Sequence, residues 1–261
     1  TAAGLINVIS KRPSYEWESM VESVLGNYET VEVRGSANVP IVDDHIAARL
    51  SSYWTTRDGF DRLLNVDGRS FDPVSGSPID PNLAPGARVV EDGRVNDNGK
   101  WGAKGRLLFD INDSFSFLLS GDYSMEDSKC CVADIKKFDG YPTLVSTLTF
   151  QSLAGPYTRP PPFTTFHGTE IPLPSDDGYD RIVSANQEPR NIVKIGGVSA
   201  DASYELPEMS WIGGSTLNAI GSWRTSSSDS QFDGDFSYYD AVLAYTLEDL
   251  DQYSAELRFT S

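Results

Sequence analysis

The chain has 261 residues, a net charge of −17 and a hydrophobic fraction of 39%. The acidity argues against nucleic acid as a partner, because phosphate binding needs clustered Lys and Arg side chains. The aromatic content of 11% argues against disorder. This composition is typical of a sheet protein with one apolar face, one polar face and long polar loops.

The first thirteen residues form an apolar, β-like run that ends at Pro13, which has no backbone donor for a strand ladder. The run has the pattern of one strand whose partner strands lie elsewhere. The sequence contains neither a signal peptide nor an apolar run long enough for a spanning helix. Because the chain starts inside a motif, we expect it to be part of a longer protein.

Alternation with a period of two dominates the rest of the chain and predicts an all-β fold. Eight strands are predicted, at residues 16–26, 29–39, 45–57, 99–110, 115–124, 191–206, 213–225 and 252–261. Long polar loops are predicted at residues 58–98, 125–190 and 226–250.

The order of the connections indicates the architecture. After the first hairpin, short turns alternate with long loops, so all the long loops leave from one end of the sheet. Transmembrane β-barrels have short periplasmic turns and long extracellular loops, and strands of about 10 residues can cross a bilayer. The predicted fold is therefore a transmembrane antiparallel up-and-down β-barrel, of which this chain supplies about eight strands.

We take the first predicted strand to run from the periplasmic side to the extracellular side. With this orientation the aromatic residues fall into two groups, as the two girdles of a membrane barrel require. The predicted inner group is Trp17, Phe109, Phe115, Tyr204 and Trp211. The predicted outer group is Tyr28, Trp54, Trp101, Tyr123, Trp223 and Tyr253. Aromatics at strand ends also occur in soluble sheets.

Both ends of the chain resemble TonB-dependent outer-membrane receptors. The start is similar to the end of their plug domain, with the pattern A-G-x-I-N-x-I-S/T-K-K/R-P. The residues on that pattern are Ala3, Gly4, Ile6, Asn7, Ile9, Ser10, Lys11, Arg12 and Pro13. Residues 252–261 are similar to the Q-F/Y-S-x-E-L/F-R-L/F-x-S barrel strand of the same receptors.

The resemblance implies that residues 1–13 are the C-terminal end of a plug and that residues 14–261 are the N-terminal part of the barrel. It implies a location in the outer membrane of a Gram-negative bacterium, in contact with lipid and lipopolysaccharide. It also implies active uptake of a scarce small-molecule ligand, most often a ferric siderophore, energised by the TonB complex through the TonB box of the plug. No resident cofactor or metal is implied.

Charged residues inside the predicted strands must avoid lipid, where Lys or Arg costs roughly 2–4 kcal/mol near the midplane. The alternation therefore directs one set of polar residues to the lumen: Arg49, Lys104, Arg106, Asp122, Glu256 and Arg258. The cations among them either attract an anionic ligand or form ion pairs. Their partners in such pairs would be carboxylates of the plug, or Glu256 and Asp122 of the barrel wall.

No catalytic motif is present, because His45 and His167 have neither G-x-S-x-G nor H-E-x-x-H spacing. We therefore do not expect an enzyme. The adjacent Cys130 and Cys131 either bond to each other, bind a soft metal or stay unpaired. The acidic pair Asp176–Asp177 and the run Asp233–Gly234–Asp235 lack a calcium-loop pattern and favour a solvated surface over a Ca²⁺ site.

Two other classes of protein stay open. A passive porin or structural outer-membrane barrel would lack the plug-end pattern. A soluble, glycan-binding β-sandwich would bury Leu107, Phe109, Leu257 and Phe259 in a core. Within the receptor class, uptake of vitamin B12, haem or an oligosaccharide is an alternative to siderophore uptake.

Overall fold

The computed structural model of the chain describes residues 10–66, 89–132, 163–166, 169–172, 181–185, 188–209, 213–234 and 243–261. Every regular element in these ranges is a strand. None of the described residues forms a helix long and apolar enough to cross a membrane. In chain order the strands are β1 (Glu18–Gly26), β2 (Thr30–Val42), β3 (Ile46–Arg57), β4 (Asp61–Val66), β5 (Val89–Val95), β6 (Asn98–Asn112), β7 (Phe115–Ser128), β8 (Phe163–Phe166), β9 (Thr169–Pro172), β10 (Ile182–Ser184), β11 (Arg190–Met209), β12 (Gly213–Asp233) and β13 (Leu243–Thr260).

Eight of these strands form one large antiparallel sheet in the order β1-β2-β3-β6-β7-β11-β12-β13. Each strand pairs with the next long strand of the chain, so the connections run alternately at the two ends. The connections at residues 58–97, 129–189 and 234–242 leave from the same end, as does the short turn at 27–29. The all-β prediction is confirmed. The edge strands β1 and β13 do not pair with each other, so the sheet is open.

Several strands are longer than the sequence predicts. The loop predicted at 226–250 is wrong over most of its length, because β12 and β13 stay paired from Ser226↔Leu250 to Asp233↔Leu243. Its many Ser and Asp residues are typical of a loop, yet backbone pairing needs no apolar side chains. The loops predicted at 58–98 and 125–190 likewise contain short strands, namely β4, β5, β8, β9 and β10.

Parts of the two longest connections pack together as a small second unit, which we call the loop sheet. Its strand β4 pairs in parallel with β10 and antiparallel with β5. Its buried core is Leu63, Val95, Val132, Val183 and Ala185. The Asn96 side chain donates to Asp61 Oδ2 (2.6 Å) and to the Val132 carbonyl (2.9 Å) and so fastens the two connections to each other.

The large sheet has two faces of opposite character. One row of directly paired residues defines the apolar face: Val39, Ala48, Leu107, Leu119, Ala200, Gly221 and Ala255. The row one residue away defines the polar face: Asn38, Arg49, Arg106, Ser120, Ser199, Ser222 and Ser254. Since side chains alternate along a strand, this register places the two chemistries of these rows on opposite faces.

The apolar face is exposed. Leu257 and Phe259 are 72% and 53% accessible, so no described part of the chain packs over them. A β-sandwich would cover this face with a second sheet about 10 Å away. The face therefore lacks the core that the soluble-sandwich alternative requires.

Aromatic residues lie at both ends of the apolar face. Trp101 pairs with Trp54 across β6 and β3, and its ring centroid is 5.5 Å from that of Tyr123. Towards the short-turn end, the Phe109 and Phe117 centroids are 6.1 Å apart. Along β7, the six-residue step from Phe117 to Tyr123 spans about 20 Å. Trp211, which the sequence analysis placed in the inner group, lies outside the described residues.

We expect the substitution Leu63→Ala to destabilise the loop sheet by about 2–5 kcal/mol, because it leaves a cavity in a small core. Hydrogen exchange of the β5 amides should become faster. Val24→Ala on the exposed face of β1 is the control and should leave β5 unchanged. Unaltered exchange in the Leu63 variant would contradict this packing.

Candidate functional site on the polar face

All six polar residues singled out from the sequence lie on the polar face. Arg49 pairs directly with Arg106, and Lys104 pairs directly with Asp122. The register therefore brings these four together across β3, β6 and β7. Glu256 and Arg258 lie apart on the edge strand β13, where they form an exposed ion pair with each other.

A short stretch before β1, residues Ser10–Trp17, lies across the polar face, and we call it the N-terminal segment. Lys104 Nζ donates to Ser10 Oγ (2.9 Å), while Arg106 Nη1 donates to the carbonyls of Ser10 (2.7 Å) and Lys11 (2.8 Å). Arg12 donates to Ser116 Oγ at 3.1 Å. Five residues of the plug-end pattern precede the described part of the chain: Ala3, Gly4, Ile6, Asn7 and Ile9.

Asn38 of β2 is the main anchor of this segment and is completely buried. Its Nδ2 donates to the carbonyls of Ser14 (2.7 Å) and Glu16 (2.6 Å), and its Oδ1 accepts from the Ser14 amide (3.0 Å). The sequence analysis missed this residue. The available signal is a lone amide side chain between Ala37 and Val39, in the middle of an otherwise apolar stretch.

Tyr15 makes a second attachment, because its hydroxyl donates to the Asp110 carboxylate. Burial, followed by the hydrogen bond and the negative charge of Asp110, raises the pKa of Tyr15 well above its usual range. The charge of Asp44 acts in the same direction, whereas that of Arg12 opposes it. The hydroxyl therefore stays protonated, and remains a donor, at all ordinary pH values.

The N-terminal segment also covers a short apolar row on the polar face. Ala47, Leu108 and Leu118 pair directly across β3, β6 and β7 and are 0–5% exposed. This row lies between the attachment points of the segment at Arg106 on one side and Asp110 on the other. Pro13, in the middle of the segment, is buried as well. Apolar burial thus adds to the hydrogen bonds that hold the segment.

Beside the segment the polar face forms a cleft of about 720 Å³. Among the described residues that line it, six are cations and only Asp122 is acidic. The cations are Lys11, Arg34, Arg49, Lys104, Arg106 and Arg224. The Tyr53 ring borders the cleft and lies against Gly102, where a Cβ atom would come within 2.7 Å of the ring.

Four of the six cations form ion pairs, with three carboxylates between them. Arg49 and Lys11 share Glu18, and Arg34 pairs with Glu32. Arg224 binds both carboxylate oxygens of Asp122, at 2.8 and 2.9 Å, across the intervening strand β11.

The Arg224 side chain can cross β11 because residue 197 is a glycine. A Cβ atom at Gly197 would lie 2.9 Å from Arg224 Cδ and closer still to the Trp223 carbonyl oxygen. The sequence analysis missed Arg224. Alternation along a strand predicts which face of the sheet a residue lies on. It does not predict that Arg224 of β12 meets Asp122 of β7, because that contact depends on how three strands align.

Lys104 and Arg106 differ from the other four cations. Within the described residues, neither forms an ion pair with a carboxylate. Their acceptors are the neutral oxygens of Ser10 and Lys11, together with Ser120 Oγ at 3.2 Å from Arg106 Nε. Asp122 lies opposite Lys104 but is paired with Arg224, and Asp201 attracts Arg106 without forming an ion pair with it. The two side chains therefore bring positive charge to the cleft that is only partly compensated.

The remaining candidate residues do not form a site. Cys130 and Cys131 are bonded to each other. Nδ1 of His45 lies 3.0 Å from the Asp110 carbonyl. No group of three or more His, Cys, Asp or Glu residues with metal-binding geometry occurs in the described ranges. His167 and Asp176–Asp177 fall outside those ranges. The polar face thus offers donors and charge for binding.

We expect Asn38→Ala to cost about 1–3 kcal/mol, because the buried carbonyls of Ser14 and Glu16 lose their donor. Hydrogen exchange at residues 14–18 should accelerate. Asn218→Ala, on the same face in β12, is the matched control and should change stability by less than about 0.5 kcal/mol. Equal effects of the two substitutions would argue against an anchoring role for Asn38.

The pH dependence of stability should report on Tyr15. Because its pKa is raised in the folded protein, its contribution is complete below the unfolded pKa of about 10 and decreases as the pH rises further. Tyr15→Phe should therefore flatten the fall in unfolding free energy above about pH 10. Tyr253→Phe, at an exposed position, should leave that fall unchanged.

No family model matches the chain. Nor does any solved structure match it significantly. Its function is therefore inferred from its own residues: the exposed apolar face, the N-terminal segment and the basic cleft.

Proposed function

We propose that this chain is part of a TonB-dependent outer-membrane receptor, comprising the end of the plug and the first strands of the barrel. The receptor takes up a scarce ligand, most simply a ferric siderophore, across the outer membrane of a Gram-negative bacterium. The TonB complex supplies the energy through the plug.

The observation that carries this proposal is the two-faced sheet with its ordered connections. The face defined by Leu107, Leu119 and Ala200 is apolar, exposed and bordered by aromatic residues at both ends. A lipid-facing barrel wall has this pattern, with long loops at the extracellular end and short turns at the periplasmic end. The opposite face, with Arg49, Lys104 and Arg106, has the polarity of a barrel interior.

The N-terminal segment favours a receptor over a passive porin. A porin keeps its interior filled with water, whereas here residues 10–17 are fastened to the polar face through Asn38, Lys104 and Arg106. The plug-end pattern, at residues 3–13, runs into the first four residues of this segment. A plug that enters the lumen and then continues into β1 would follow this path.

The class of protein is tested with the whole protein in its bacterium. We expect it in the outer-membrane fraction, and we expect growth on its ferric siderophore under iron limitation to require TonB. A passive porin would keep its uptake when TonB is deleted. Folded, monodisperse protein in buffer without detergent would contradict the membrane assignment.

A pair of neighbouring substitutions tests which face meets lipid. Ala200→Lys, whose ladder partners are Leu119 and Gly221, should destabilise folding into lipid vesicles by roughly 2–4 kcal/mol. Ser199→Lys places the same charge on the polar face, beside Ser120 and Ser222, and should cost much less. The lipid assignment of the apolar face is wrong if the two variants fold equally well.

A further inference from the structure

The basic cleft has the opposite charge to the chain as a whole, and this contrast suggests that the cleft binds a ligand. The whole chain carries a net charge of −17, yet the cleft is lined by six cations and one carboxylate among the described residues. Clefts lined by one sign of charge raise the local concentration of ligands of the opposite sign. A volume of about 720 Å³ is enough for a small molecule.

Two of the cations are held by weaker acceptors than the rest. Lys104 and Arg106 donate to neutral oxygens of Ser10 and Lys11, whereas Arg224 donates to the carboxylate of Asp122. An ionised acceptor adds a charge–charge attraction that a neutral oxygen lacks. A carboxylate or phosphate oxygen is therefore a better acceptor for Lys104 and Arg106 than the oxygens they hold now.

The geometry lets an anion compete with the N-terminal segment for the same donors. Lys104 and Arg106 lie two positions apart on β6, so their backbones are only about 7 Å apart on one face. Their side chains converge on a single dipeptide, with contacts of 2.7–2.9 Å to Ser10 and Lys11. An anion that accepts from Arg106 Nη1, or from the Lys104 Nζ hydrogen now given to Ser10, replaces these contacts.

The rest of the N-terminal segment is held differently. Asn38 binds Ser14 and Glu16 through neutral amide hydrogen bonds in a fully buried position, without Lys104 or Arg106. An anion in the cleft does not compete with Ser14 and Glu16 for the Asn38 side chain. Release therefore affects Ser10 and Lys11 and ends before Ser14.

We propose that the basic cleft binds a small polyanion with several carboxylate or phosphate oxygens, and that this anion competes with the N-terminal segment for Lys104 and Arg106. The inference rests on the proposed function, in which residues 10–13 of the segment are the end of the plug. Binding of the anion loosens the plug end at Ser10–Lys11, while Asn38 keeps the rest attached to the barrel wall. By linkage, a segment pulled away from the cleft raises the affinity of the cleft for the anion by the same factor.

The test uses the whole receptor in detergent, with citrate as the probe and the ionic strength held constant with sodium chloride. Citrate should bind, and it should speed hydrogen exchange at residues 11–12 several-fold while residues 14–16 stay protected. Sucrose at the same concentration should do neither. Pyrophosphate in place of citrate separates a phosphate preference from a carboxylate preference, and binding of either supports the site.

Substitutions identify the donors. Arg106→Gln should weaken citrate binding about tenfold or more and abolish its effect on exchange. Lys104→Gln serves as a second variant should Arg106→Gln assemble poorly. Arg258→Gln is the matched control, because it removes a cation from the same face outside the cleft, and it should bind citrate normally.

The proposal is overturned if neither anion binds, if binding leaves exchange at residues 11–12 unchanged, or if Arg258→Gln weakens binding as much as Arg106→Gln. These outcomes are separable from failure of the proposed function. A receptor that stays in the outer membrane and supports TonB-dependent uptake, yet fails these tests, disproves only the anion switch.

Discussion

The position of the N-terminal segment depends on one buried side chain, the amide of Asn38. Its three hydrogen bonds fix the backbone at Ser14 and Glu16, so the chain approaches β1 over the polar face. Once the backbone is fixed there, Pro13 is buried, and Ser10 reaches the side chains of Lys104 and Arg106. A buried amide is stable only when its polar atoms are satisfied, and here the segment itself supplies the partners.

The large sheet separates charge as well as polarity. On the polar face, cations gather beside β3 and β6, and most are neutralised by acids from neighbouring strands, such as Glu18 and Asp122. Among the six cations of the cleft, only Lys104 and Arg106 form no ion pair with a carboxylate of the described residues. A fully neutralised cleft would bind anions weakly, because each would have to displace a carboxylate. The exception gives the cleft its capacity for binding.

Much of the fold can be predicted from the sequence because period-two alternation is a local signal. It assigns side chains to faces correctly, so the eight long strands and the shared face of Arg49, Lys104 and Asp122 follow from it. Alternation does not predict how many strands separate two residues that share a face. For that reason Glu256 lies on the expected face yet at a distant edge.

What the sequence analysis missed depends on contacts between distant residues or on backbone pairing. The core of the loop sheet joins Leu63, Val95 and Val183, which no local pattern links. The continuation of β12 and β13 past Ser226 is stabilised by their ladder, whereas composition alone favours a loop there. Arg224 reaches Asp122 only because Gly197 leaves room, and that requires the register of three strands at once.

The loop sheet couples the two longest connections of the large sheet to each other. Its parallel pair, β4 and β10, draws one strand from each of the two longest connections, and Asn96 joins the same two connections again at Val132. Neither connection can open without breaking the core that the other shares. Within the described residues the two loops share one core, so a substitution that opens this core in one loop should also loosen the other.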